Sequence, residues 1–227
     1  MAHVGKMPSE VQDALLSSEL VRITKSSRRS TVHRRVHMDT IGIRRFDAKG
    51  KPVGEFLFVG LLTSSAYNQS PREIPFLRKK VGEVMEISGF DAGSHSGKAL
   101  MHVLETYPRD ELFQIESRRL YEIGMGIVHL QERQRIALFV RPDPFQRYMV
   151  ALVYVPREKF SSDLRQKLGE VLAKSFGGHV AAYFTFMTDE VLSRVQFIIH
   201  TTPGSIPHYN TSVIENRLVD AWRTWGD

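Results

Sequence analysis

Hydrophobic positions recur along this chain in two periods, and the switches between them set out an order of elements. Val11, Leu15, Leu16 and Leu20 stand at helical spacing with Ser9 as a cap, which predicts an amphipathic helix within Val4–Ile23. Over Val32–Arg45 the period falls to two, with Val36, Met38, Thr40, Gly42 and Arg44 alternating with His37, Asp39, Ile41, Ile43 and Arg45, as in a strand. Asp47-Ala48-Lys49-Gly50 reads as a hairpin turn into Val53–Ser64, a nearly unbroken apolar run that predicts a strand buried on both faces. A helix follows from Ile74 or Pro75 to Ser88, with Leu77, Val81, Val84 and Met85 inward and Gly89 as its stop. After a turn rich in glycine, Leu100, Val103, Leu104 and Tyr107 line a further helix that breaks at Pro108. The next helix carries Asp110 and Glu111 near its positive end and runs through Leu112, Ile115, Leu120 and Ile123.

Gly124-Met125-Gly126 then favours a hinge, and a second set of elements begins. A short strand over Arg135–Val140 leads through the turn Pro142-Asp143-Pro144 to a strong strand, Arg147–Val155. Ser161, Ser162 and Asp163 offer caps for a helix whose inner face is Leu164, Leu168, Val171, Leu172 and Phe176, ended by Gly177-Gly178. Strands over His179–Met187 and Arg194–Thr201 flank a Thr188-Asp189-Glu190 connection with room for a helical turn. The last helix spans Thr211–Trp222, with Ser212 and Glu215 spaced as a capping box. Strand, helix, strand, strand, helix is an α+β sandwich of the ferredoxin type without its closing strand. The edge left open must be covered by Arg135–Val140, by a second copy, or by another part of the protein.

Composition adds limits. At 227 residues, with 42% hydrophobic and 25% charged positions, the chain is an ordinary globular one with material for one large or two modest domains. It contains no cysteine, which excludes disulfides, thiolate metal sites and a cysteine nucleophile. Neither a secretory leader nor an apolar run of about 20 residues is present, so the expected setting is cytoplasmic, without a membrane. The net charge of +6 gathers at Arg22, Lys25, Arg28, Arg29, Arg34 and Arg35. That run suits an anion, but no stacking aromatic other than His33 accompanies it, so nucleic acid is disfavoured against a linker or a strand edge facing an acidic surface. Gly93-Ser94-His95-Ser96-Gly97-Lys98 has the feel of a phosphate loop, yet only three residues separate its glycines and Ala99 follows the lysine, so it is expected to be a structural turn. His33 with His37, and His95 with His102, lack further ligands at metal-binding spacing. No catalytic motif or Gly-x-Gly-x-x-Gly fingerprint appears, and this segment is expected to hold no cofactor.

The wording of four stretches says more. GFDAGSHSGKALMHVLETYPRDELFQ (Gly89–Gln114), SAYNQSPREIPFLRKKV (Ser65–Val81), FVRPDPFQRYMVALVYVPREKF (Phe139–Phe160) and LRQKLGEVLAKSF (Leu164–Phe176) closely resemble the amino-terminal, non-catalytic part of the large bacterial NAD-specific glutamate dehydrogenases. The resemblance implies a segment of a bigger enzyme: an amino-terminal helix and basic linker over 1–31, a PAS-like αβ module with a helical extension over 32–124, and an ACT-like domain over 125–227. It implies NAD as cofactor of the parent but not of this segment, and a role in regulation or oligomerisation with the remainder of the parent chain and further copies as partners. ACT domains typically bind amino acids on the loop after their first strand, which here contains Arg157, Lys159 and Ser161. That loop has no glycine, a departure that places the amino-acid effector in question. A free-standing amino-acid sensor and an anion or nucleic-acid binder through Arg22–Arg35 are the alternatives.

Overall fold

The computed structural model describes Gln12 and residues 19–33, 36–132, 135–187 and 191–224, except for the side chains of Gln131, Glu132 and Lys159. The chain divides into two compact units, one over Leu16–Val128 and the other built chiefly from His129–Asp227. The helix expected within Val4–Ile23 falls largely outside the described residues, and its last positions open a strand instead.

The first unit starts with an antiparallel sheet of β1 (Val21–Arg29), β2 (His37–Phe46) and β3 (Pro52–Gly60), in that order. The first part of the basic stretch, read as a linker or a strand edge, is therefore β1, an end strand of the sheet. The hairpin turn forms as expected: the Asp47 carboxylate accepts the amides of Lys49 and Lys51, each at 2.9 Å, and Gly50 adopts φ 75. β3 overturns its expectation. Val53, Phe56, Leu57, Phe58 and Val59 are 50–58% exposed, because β3 ends the sheet order and, among the described residues, nothing covers the side chains on either of its faces. The apolar run also stops short of Ser64, which begins α1 (Ser64–Asn68).

Helices α2 (Pro75–Ser88), α3 (His95–Thr106), α4 (Arg109–Gln114) and α5 (Ser117–Glu132) complete the unit. Leu77, Val81, Val84, Leu100, Val103, Leu104 and Tyr107 are buried where the helical period placed them, while Met85 is half-buried. Gly89 ends α2 in the left-handed conformation. The single helix expected after Pro108 is two, because Ile115 is extended at φ -69, ψ 141. A buried lysine accompanies the break. Lys80 of α2, 8% exposed, donates from Nζ to the carbonyls of Leu112 at 2.9 Å, Phe113 at 3.0 Å and Ile115 at 2.6 Å. Its ammonium thus meets the negative end of α4 and lies 5.1 Å from the Phe76 ring centroid. The hinge expected at Gly124-Met125-Gly126 is absent, since both glycines lie inside α5. Gly124 is there for packing: a Cβ would meet Leu100 Cδ1 at 3.0 Å.

The second unit is a sheet in the order β4-β5-β7-β6, every neighbour antiparallel. Its elements are β4 (Ala137–Pro142), β5 (Tyr148–Pro156), α6 (Ser162–Phe176), β6 (His179–Phe186), β7 (Leu192–His200) and α7 (Thr211–Arg223). Alternate strand residues, among them Met149, Ala151, Val153, Val195, Phe197 and Ile199, meet Leu164, Leu168, Leu172 and Phe176 of α6 and Ile214 and Leu218 of α7 in one core. Burial of a side chain such as Phe176 contributes roughly 1.5–3 kcal/mol. β4 occupies the place of the missing closing strand, the first of the three coverings anticipated for that edge. α7 is capped differently from expectation. Asn210 Oδ1 accepts the amides of Ser212 at 2.9 Å and Val213 at 3.2 Å, while Glu215 turns away to accept Leu138 N at 2.9 Å and to pair with Arg135. The Thr188-Asp189-Glu190 connection lies outside the described residues.

Candidate functional site

The loop between β5 and α6 collects the three residues read as a ligand site. Pro156 turns the chain into a single 3-10 turn, Arg157–Lys159, and Phe160 packs half-buried against the core. Ser161 caps α6, its Oγ accepting Leu164 N at 3.1 Å. The amides of Arg157 and Phe160 are already taken, by the carbonyls of Val191 at 2.9 Å and Arg157 at 3.1 Å. Arg157 is exposed, and the side chain of Lys159 lies outside the described residues. The Ser161 hydroxyl keeps its hydrogen as a donor, so the loop offers a cation and a donor but few spare amides.

The basic run separates into two parts. Arg22 of β1 reaches across β2 to Glu55 of β3 at 3.1 Å. It does so over Gly42, where a Cβ would stand 2.7 Å from Glu55 Oε2. Lys25 pairs with Asp39 at 2.6 Å and with Asp110 of α4 at 3.2 Å, tying the sheet to the helices. Arg28 and Arg29 are exposed towards the β1–β2 hairpin, and Arg34 and Arg35 lie outside the described residues. Two of the six cations are thus internal ties, which weakens the anion reading. The glycine-rich turn before α3 is structural: Ser94 Oγ accepts Gly97 N at 3.0 Å, and a Cβ on Gly97 would stand 2.1 Å from the Asp91 carbonyl oxygen. His37 Nδ1 lies 3.0 Å from the Ser26 carbonyl oxygen, and His95 and His102 are exposed on α3. Among the described residues no group of three or more histidines and acids is placed to hold a metal ion.

Two further buried polar arrangements escaped the sequence reading. Between β4 and β5, the fully buried Asp143 carboxylate accepts Arg147 Nε at 2.8 Å and Nη2 at 2.9 Å, with Phe145 N at 3.1 Å and Arg147 N at 3.3 Å. Burial pulls Arg147 towards losing its proton, but the hydrogen bond and charge of Asp143 outweigh it and hold the guanidinium above its ordinary value. Arg109, at the start of α4, donates Nη2 to the Gln69 carbonyl at 3.1 Å, while its buried Nε and Nη1 find no partner among the described residues; burial lowers its pKa. Pro-Asp-Pro announced the first turn but not the bidentate ion pair, and nothing in the text around Arg109 announced the second.

Open apolar strand edges are the larger surface features. β3 is one end strand of the first sheet, and β6 one end strand of the second, where Tyr183, Phe184 and Phe186 are 46%, 54% and 45% exposed. Each unit also carries a shallow cleft. One of about 920 Å³ follows α2 and α3, with Arg72, Arg78, Met85 and Met101 on its walls. The other, of about 520 Å³, runs between α6 and β6. No helix among the described residues is long and apolar enough to cross a membrane.

Comparison with known proteins places these units. Residues 74–133 match the family model for glutamate dehydrogenase helical motif 1, and residues 137–226 match that for the glutamate dehydrogenase ACT2 domain. The first covers α2 to α5, and the second covers the sheet with α6 and α7. The mixed strands and helices of the first unit are compatible with a PAS-like label. The chain is 41% identical over 208 residues to an NAD-specific glutamate dehydrogenase of Pseudomonas aeruginosa, and 39% identical over 209 residues to one of Halomonas elongata; each match covers 92% of this chain. A third, from Mycobacterium tuberculosis, is 29% identical over 187 residues, covering 77% of the chain. The chain spans only 12–13% of the length of these relatives. With two modules of one family in succession and near-full coverage by its relatives, the chain belongs to the NAD-specific glutamate dehydrogenase family.

Proposed function

We propose that this chain is a non-catalytic assembly and regulatory segment of an NAD-dependent glutamate dehydrogenase. The parent converts L-glutamate, NAD and water to 2-oxoglutarate, ammonia and NADH, in a part of the protein beyond these residues. The remainder of the parent chain is this segment's first partner. β3 carries the reading. Five large apolar side chains, half exposed on both faces of one edge strand, are what a strand shows when its covering elements belong to another part of a larger protein. Covering them contributes about 1 kcal/mol each, near 5 kcal/mol together, if half of a full side-chain burial remains to be gained. The regulatory part of the proposal puts an amino-acid carboxylate at the exposed Arg157, with Lys159 and Ser161 in the same loop.

Three measurements test it. The isolated chain, given glutamate and NAD, forms no NADH. In the full-length parent, Phe56→Ser with Phe58→Ser lowers assembly and with it the rate. A thermal-shift screen of amino acids on the chain gives a selective rise that Arg157→Ala removes. NADH production by the isolated chain, or a full-length double variant of unchanged mass and rate, overturns the assembly reading; a flat screen removes the effector.

A further inference from the structure

Three glycines inside helices have their reason within the chain. A Cβ on Gly97 would strike the Asp91 carbonyl, one on Gly124 the Leu100 side chain, and one on Gly169 the side chains of Val180 and Phe197. Gly82, midway along α2, is different: a Cβ there meets nothing within 4 Å. A glycine in a helix interior is destabilising relative to alanine, a cost that a close neighbour from outside the chain would offset. Gly82 stands on the wall of the 920 Å³ cleft. Arg78, Gly82 and Glu86 follow one another at intervals of four along that wall, with Val81 and Met85 beside them. From Arg78 to Gly89 the row is about 16 Å long, three turns of helix.

We infer that this wall is a self-docking surface, on which α2 of a second copy packs antiparallel about a two-fold axis through Gly82. This rests on the assembly reading and deepens it, on a surface apart from β3. Charge selects a second copy as the occupant. Arg78 and Glu86 lie four residues to either side of Gly82, each about 6 Å from it along the helix axis. A two-fold axis at Gly82 therefore sets Arg78 of each copy against Glu86 of the other. Among the described residues neither side chain makes an ion pair within its own chain. Another helix would have to carry the opposite charges at the same spacing, whereas this one carries both. Glu83, the charge nearest the axis, is already held by the Ser117 hydroxyl at 2.5 Å and by Lys79 at 3.8 Å. The bare backbone at Gly82 lets the two helix axes approach to about 8 Å, the short end of the usual range. Three turns of helix make a contact smaller than a standard interface, so the association is reversible and depends on concentration.

Sedimentation equilibrium over a concentration series tests the inference on the 227-residue chain, whose monomer mass is 26.0 kDa. The expected behaviour is reversible self-association. Arg78→Glu and Glu86→Arg each weaken it at least about tenfold, because each sets like charges face to face. An equimolar mixture of the two variants recovers it, since each then supplies the charge that the other lacks. Gly82→Leu abolishes it as well. At a concentration where the chain is monomeric, that same variant melts no lower than the parent chain, because leucine is the better helix former and a Cβ there meets no neighbour. Association indifferent to all three substitutions, or a mixture that fails to recover, overturns the inference. A Gly82→Leu monomer that melts lower does so too, by returning the glycine to the packing of its own chain. A chain monomeric at every concentration also overturns it and leaves the wall to the remainder of the parent. None of these outcomes bears on the NADH assay or on the full-length β3 variants, so the docking surface and the parent assignment fail separately.

Discussion

Replacing Lys80 by methionine removes a charge from the interior while nearly keeping its volume, so the effect is electrostatic rather than one of packing. Nζ is the shared donor for the carbonyls of Leu112, Phe113 and Ile115, at 2.9, 3.0 and 2.6 Å. Hydrogen bonds to a charged group contribute about 1.5–3 kcal/mol each, and a buried acceptor left without a partner costs about 1–3 kcal/mol. Against the sum stands the several kcal/mol needed to dehydrate the ammonium, which methionine avoids. The difference is a loss of about 3 kcal/mol, a sizeable part of a small domain's stability. Urea unfolding with linear extrapolation measures it. Far-ultraviolet circular dichroism is the probe to use, because both tryptophans, Trp222 and Trp225, lie at the other end of the sequence from the helical motif. Lys80→Arg should recover only part of the loss, since a planar guanidinium is ill-suited to three convergent carbonyls. A Lys80→Met variant within about 0.5 kcal/mol of the parent chain refutes the view that this lysine ties α2 to the end of α4.

Other substitutions test other joints. Gly97→Ala pushes a methyl group to 2.1 Å from the Asp91 carbonyl oxygen and should cost about 1–3 kcal/mol, read as a lower melting temperature. Asn210→Ala removes the cap of α7 and should cost about 1 kcal/mol in urea unfolding, whereas Ser212→Ala should stay within about 0.5 kcal/mol; the reverse order reinstates the capping box. Asp143→Ala strands the Arg147 guanidinium beside Phe145 and Tyr148 and should cost about 3 kcal/mol, with Asp143→Asn intermediate.

What the sequence made legible follows from how local each cause is. The inner faces of α3 and α6 were readable because the burial of Leu100 and Leu104, or of Leu164 and Leu168, repeats at the helix period and each helix ends on a strong local signal. Non-local causes were hidden. An unbroken apolar run has the same text whether its covering elements are present or lie elsewhere, so β3 was expected to be buried and is exposed. Gly124 looked like a hinge because its packing partner, Leu100, is distant in sequence. The break at Ile115 carries neither glycine nor proline, and Lys80 on α2 holds the carbonyls that the break turns outward. For the ligand loop the residues were visible, but the use of its amides by Val191 and Arg157 was not.

A closing strand that comes first in its unit alters the order in which the sheet can assemble. Had that place been filled from the carboxy-terminal side, both neighbours of central strand β5 would have had to be found across most of the unit. Instead β4 and β5 meet through one short turn, in register from Pro142↔Met149 to Ala137↔Tyr154, while β5 and β7 must close a much longer loop, as at Tyr148↔His200. Loop closure makes the first pairing the faster one. The β4–β5 hairpin is then the natural folding nucleus, and Asp143, which holds its turn, gains a kinetic role: its loss should slow refolding more than it hastens unfolding.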